Sequence, residues 1–243
     1  MQRITRFTLT AALALVPAVL CAQAPADPSG HWSGAIHVPA YNGASAREIG
    51  VEIDLARNAN GELAATFSQP DQHIKGLPLG RVSFDGKAVS FELKANGGGV
   101  FKGLLSDAMS IGGDFITAEG GYTIPFDLAR TGDAVIAAAP KSAAIGKELE
   151  GTWSGTIEFQ GRKERLLLTL VNQADGSASG SIVDLDGSNV EIPVGISHRA
   201  AAVTIDVAPV AASFTGTLDG AALAGTWNQG PLSLPITFTR GAK

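Results

Sequence analysis

A five-residue pattern written twice constrains this chain more than anything else in it: GHWSG at 30–34 and GTWSG at 151–155, each leading into alternating apolar residues. The match runs well past the tryptophan. The stretches TIPFDLAR (123–130) and SLPITFTR (233–240) coincide at proline, at three apolar positions and at the terminal arginine. Between start and end, NANGELAAT pairs with QADGSASGS, GLPL with EIPV, FKGLLSD with FTGTLDG, and GGDF with AGTW. Self-similarity at this length is the mark of a tandem duplication, with longer loops in the first copy.

Each copy reads as short strands divided by turn residues. In the second copy the strands are TWSGTIEF, RLLLTLV, SASGSIVD, VEIPVGIS, AVTIDV, ASFTGTL, ALAGTW and SLPITFTR. Val203, Ile205 and Val207 alternate with Thr204 and Asp206, the two-residue period of a strand with one buried face. Asp85-Gly86 and Asp219-Gly220 fall between such runs and predict two-residue hairpin turns. Eight consecutive hairpin-linked strands favour closure, because a closed barrel leaves no sticky edge. The predicted fold is all-β, two tandem eight-stranded antiparallel up-and-down β-barrels. Barrel 1 covers 29–131 and barrel 2 covers 150–243. An Ala-rich linker at 132–149 joins them, with a turn of helix on either side of Pro140.

In an eight-stranded meander the first and last strands become neighbours on closure. The start of the first therefore meets the end of the last. This predicts that Trp32 meets Arg130 and that Trp153 meets Arg240, each guanidinium lying on an indole that seals the barrel floor. A GxW near the first strand and an arginine ending the last resemble the calycin superfamily of lipocalins, fatty-acid-binding proteins and avidins. The chain is more similar still to the small β-barrel domain that precedes the catalytic domain of many secreted bacterial α/β-hydrolases. NGELAATFSQPDQHIKGLPL (60–79) and GTWNQGPLSLPITFTR (225–240) carry that likeness. The resemblance covers both copies and implies a fold and an envelope or extracellular life. It implies no activity, since this sequence lacks a GxSxG nucleophile elbow and any α/β domain.

Residues 1–24 read as a secretory signal peptide, with Arg3 and Arg6 ahead of an apolar run from Leu9 to Cys21 and small residues after it. Leu20 precedes Cys21 where a lipid-modified cysteine normally follows a small residue, so lipoprotein anchoring is not expected. Periplasmic or secreted localisation follows. The formal net charge of the full chain is −5, and the leader contributes two arginines and no acid, so the exported part is more acidic still. No run of Lys or Arg rises above this, which argues against nucleic acid or an anionic membrane surface as partner. The chain is also not expected to be an integral membrane protein. With one cysteine, no intramolecular disulfide is possible.

Signals for chemistry are few. The four histidines, His31, His37, His73 and His198, have no metal-ligand spacing, and His31 reads as a surface residue beside Trp32. GGDF (112–115) and GGG (97–99) read as hairpin turns or bulges rather than phosphate loops, since no helix follows them. SQPDQHIK (68–75) would stand on a loop at one rim of the barrel. There Asp71, Gln72 and His73 either receive the polar head of a ligand or form a solvated turn; Asp184, Asp186 and Ser188 hold the equivalent place in the second copy without repeating those residues. Trp227, on the inward set, and the nearby Gln229 complete the candidate ligand-binding residues. An eight-stranded bore is either filled by side chains or just wide enough for one small molecule, and the short strands here favour filling. No cofactor, metal or catalysis is expected. The expected function is binding of a small apolar or amphipathic molecule, in a barrel or between the two. The alternative is an accessory module that docks to an envelope protein.

Overall fold

The structure is a computed structural model and describes residues 26–94, 98–118, 121–187 and 189–241. The leader with Cys21, Gly97 and Ser188 lie outside these residues. Among the described residues there is no α-helix, only two single turns of 3-10 helix at Pro70–Gln72 and Ala208–Val210. The rest is two antiparallel β-barrels.

Barrel 1 comprises β1 (Gly30–Val38), β2 (Arg47–Arg57), β3 (Leu63–Gln69), β4 (Ile74–Pro78), β5 (Gly80–Phe84), β6 (Ala88–Leu93), β7 (Gly99–Ser106), β8 (Ser110–Thr117) and β9 (Thr123–Gly132). The sheet runs β4-β3-β2-β1-β9-β8-β7-β6-β5. β4 and β5 are two halves of one bent strand. The first half pairs with β3, the second with β6, and between them the Leu79 amide donates to the Ala65 carbonyl at 2.9 Å. Eight strand positions thus close on themselves.

After a two-residue strand β10 (Ser142–Ala143), barrel 2 repeats the plan with β11 (Gly151–Phe159), β12 (Arg162–Asn172), β13 (Ser177–Asp184), β14 (Ile192–Arg199), β15 (Ala202–Val207), β16 (Ala212–Asp219), β17 (Ala222–Gln229) and β18 (Leu232–Arg240). Here β14 passes its pairing from β13 at Ile192–Val194 to β15 from Gly195 onward. The alternation read in β15 is the observed one: Val203, Ile205 and Val207 are buried, while Thr204 and Asp206 are not.

Side chains fill both interiors, by different means. Barrel 1 clusters Phe67, Phe91, Phe115 and Phe126 around Phe101, with ring centroids 4.5 to 6.5 Å from it. Barrel 2 is mostly aliphatic, with one edge-to-face pair, Phe214–Phe238, at 5.3 Å. Such contacts are the usual filling of a bore this narrow.

Three local expectations change. Gly112 and Gly113 lie inside β8 and Gly99 starts β7, so these glycines are strand residues rather than turns. Gly113 faces Gly103 across the ladder, and a Cβ on Gly113 would stand 2.0 Å from the Lys102 carbonyl oxygen. The pair Gly216–Gly225 repeats this in barrel 2. The hairpin at Asp85 spans three residues, its carboxylate accepting the amides of Lys87 and Ala88, whereas the other is the two-residue turn Gly220-Ala221. The segment around Pro140 forms no helix; β10 follows it and pairs to β13, where helical turns were expected. Prolines and alanines without a 3.6-residue apolar face have nothing to hold a helix against a barrel wall. From Ser142 on, the chain packs on barrel 2: the Asn172 amide group bonds both the N–H and the carbonyl of Ile145 at 2.9 Å, and Ile145 and Leu149 are buried.

Candidate functional site

The tryptophans and arginines close the floors. Trp32 is paired with Arg130 and Trp153 with Arg240, and the guanidinium carbons stand 4.7 and 4.4 Å from the indole centroids. Both indoles are fully buried, and each Nε1 donates to a carbonyl four residues back, Pro28 or Leu149, at 2.9 Å. Each guanidinium also ties down the chain entering the first strand. Arg130 donates to the carbonyls of Ser29 and Asp27, and Arg240 to those of Glu150 and Glu148. The planar fork suits this two-carbonyl clamp, which a lysine would not reproduce. Glycine at the first position of the motif leaves room for it, because a Cβ on Gly30 or Gly151 would sit 3.1 Å from the arginine Nη1. The floors are therefore structural and offer no ligand an opening.

The other end of barrel 2 is open. In barrel 1, β1 and β9 stay in register from Trp32↔Arg130 to Ile36↔Phe126. In barrel 2, β11 and β18 pair only at Trp153↔Arg240 and Ser154↔Thr239, with one further bond from the Gly241 amide to Thr152 at 2.8 Å. Beyond Ser154 the seam has no ladder. Two adjoining cavities of about 300 Å³ each lie there and share Ile157, Glu164, Trp227 and Gln229. The outer one reaches Phe159, Leu232 and Leu234 on the two seam strands. The inner one meets Leu166, Ile182 and Val207 within the barrel and is roofed by Ile74 and Leu77 of barrel 1. Leu77 and Ile192, equivalent in GLPL and EIPV, both line it, so the two copies meet around matching positions.

Of the residues singled out in the sequence, Trp227 and Gln229 come together here. The Trp227 Nε1 lies 3.4 Å from Gln229 Oε1, and the Gln229 amide reaches the Val210 carbonyl at 3.5 Å. Asp71, Gln72 and His73 form the exposed turn just before β4 and line none of this space. Sequence reasoning did not single out Ile157, Glu164, Leu232 or Leu234; the signal was the loss of pairing, which composition does not show. Asp184 stands on the inner rim, and its Oδ1 accepts the amides of Asp186 and Gly187 at 3.0 Å. Beside it Arg165 grips Asp186 through Nε and Nη2 and holds that carboxyl below the usual carboxylate range.

His31 departs from its surface reading. Its Nδ1 lies 3.0 Å from Asp54 Oδ1, which also accepts the Val135 amide at 2.8 Å. Strand parity correctly put His31 outside the barrel, but the linker covers that part of the wall. Among the described residues no group of three His, Cys, Asp or Glu side chains is placed to hold a metal, and no helix is long and apolar enough to cross a membrane.

The fold and site define an all-β, two-barrel chain with one open mouth. No family model and no curated protein matches it. Solved structures that it resembles include a "putative outer membrane protein" of Bacteroides fragilis, at 10% identity and TM-score 0.27, covering 88% of this chain and 98% of that one. Another is a protein of unknown function from the DUF3598 family of Nostoc punctiforme, at 14% identity and TM-score 0.23, covering 88% of this chain and 96% of that one. Likeness this faint carries nothing further about the chain.

Proposed function

We propose that this chain is an exported, non-catalytic, calycin-like protein that binds a small apolar or amphipathic molecule at the open mouth of barrel 2. The observation that carries this reading is the pair of cavities behind the unpaired β11–β18 seam. An apolar body would lie against Ile157, Leu166, Ile182 and Trp227, and a polar head would meet Glu164, Asp184 and Gln229 at the rim. A few convergent polar groups around a mostly apolar concavity is the usual make-up of such a site. The leader supports export, and the filled bores support binding at a mouth rather than deep inside a barrel. Trp227 offers both an aromatic surface and a reporter. A neutral apolar probe such as N-phenyl-1-naphthylamine is expected to bind the mature protein saturably at one site, and Trp227→Ala to weaken it by about ten-fold, roughly 1.4 kcal/mol. Absence of saturable binding, or equal binding by the variant, overturns the reading.

A further inference from the structure

Against the outer wall of barrel 1 lies a larger space, a groove of about 710 Å³ between β1–β4, the linker and the near edge of barrel 2. Its size falls within the range of small-ligand sites. Its two sides differ in chemistry. The barrel wall presents His31, Glu52, Asp54 and Lys75, while the facing side is built of Ala137, Ala138, Pro140, Pro193, Ala208 and Pro209. The prolines have no N–H to offer, so that side is smooth and apolar.

The polar wall is unusual for the outside of a barrel, because Asp54, Thr66 and Ser68 are each only 7% exposed. Most of it is already satisfied. Asp54 accepts from Val135 and faces His31, and the Ser68 hydroxyl accepts the Gly76 amide at 2.9 Å. The Thr66 hydroxyl, across the ladder from Asp54, has no partner. Three charged residues lining the groove, Glu52, Lys75 and Asp133, make no ion pair among the described residues. Glu52 sits opposite Ser68 in the ladder, and Lys75 precedes the Gly76 that Ser68 bonds, so an anion and a cation flank one serine. With Nδ1 turned to Asp54, the His31 ring leaves Nε2 for a ligand.

We infer that this groove is a second binding site and that it takes a short zwitterionic peptide with small apolar side chains. The free amino terminus pairs with Glu52, the carboxylate with Lys75, a backbone N–H with His31 Nε2, and the side chains with the Ala/Pro face. None of these residues lines the barrel 2 mouth, so the two sites stand or fall separately.

The test is calorimetric titration of the mature chain with free Ala-Ala-Ala and with its N-acetylated and C-amidated forms. The free peptide is expected to bind in the micromolar to millimolar range, and each block to weaken it by about ten-fold. Glu52→Gln removes the sensitivity to acetylation and Lys75→Met the sensitivity to amidation, while Trp227→Ala changes neither. Both substituted side chains reach solvent, so the variants keep the fold. Equal binding of free and doubly blocked peptide, or no binding into the millimolar range, overturns the inference.

Discussion

Barrels 1 and 2 share a strand plan and a floor, and they differ at the opposite end. Barrel 1 packs five phenylalanines together and keeps β1 against β9 from the floor up to Ile36. Barrel 2 replaces most of those rings with aliphatic side chains, carries Trp227 where barrel 1 has Phe115, and lets β11 and β18 part after Ser154. A duplicated barrel must preserve the floor, where a buried indole, a charge and three carbonyls depend on one another. The mouth carries no such constraint, and there the copies have diverged: the first and last strands stay paired up to Ile36 in barrel 1 and part after Ser154 in barrel 2.

The largest test of that comparison is at the floors. Trp32→Ala and Trp153→Ala each delete a fully buried indole, and each is expected to cost about 3 to 5 kcal/mol in denaturant unfolding. The two losses should agree within about 1 kcal/mol if the floors are equivalent. A mild effect at one of them breaks the equivalence.

A smaller difference should appear one turn of sequence later. A Cβ on Gly34 would stand 1.9 Å from the Asp127 carbonyl oxygen, a backbone atom held by the closed seam. On Gly155 it would meet only the ends of Ile236 and Phe238 side chains at 2.9 Å. Gly34→Ala is therefore expected to cost about 1 to 3 kcal/mol by overpacking, and Gly155→Ala clearly less. The reverse order would mean that barrel 2 has the tighter seam.

The smallest expected effect is one of pH. His37 on β1 bonds Asp127 and lies 3.5 Å from Glu48, and the Asp127 bond raises its pKa above the usual 6.5. A raised folded value means that the histidinium stabilises the fold fully below its unfolded pKa, and that this is lost as pH rises through the folded one. Wild type should thus gain on His37→Gln in slightly acid solution and match it in alkaline solution. The equivalent residue in barrel 2 is Glu158, 3.8 Å from Lys163, so the histidine is confined to barrel 1 at this position. Melting curves of both proteins across the range check this. A difference that persists in alkaline solution would contradict it.

The architecture was legible because its signals are local or repeated. Alternation in β15, the duplicated GxWxG and the arginines ending β9 and β18 all point to closed barrels, and the floor pairs lie where those residues place them. The roles of the glycines were less legible. Gly112 and Gly113 resemble turn residues in sequence, yet they serve the close approach of two strands, which depends on the residue across the ladder. The site was hardest to read. Trp227 could be found by parity, but Ile157 and Leu234 line a cavity only because their strands separate. The partial cover over His31 likewise depends on a linker whose path the sequence does not encode by any period.

Amide hydrogen exchange at the two seams tests the central claim most directly. Thr152 accepts the Gly241 amide, so alternation points the N–H groups of Thr156 and Glu158 toward β18, where no ladder receives them. Ser33 and Ala35 have the same parity on β1 and are paired with Ala129 and Asp127 of β9 in barrel 1. The account predicts fast exchange at Thr156 and Glu158 and strong protection at Ser33 and Ala35. Equal protection at both seams would contradict it, because barrel 2 would then have no open mouth.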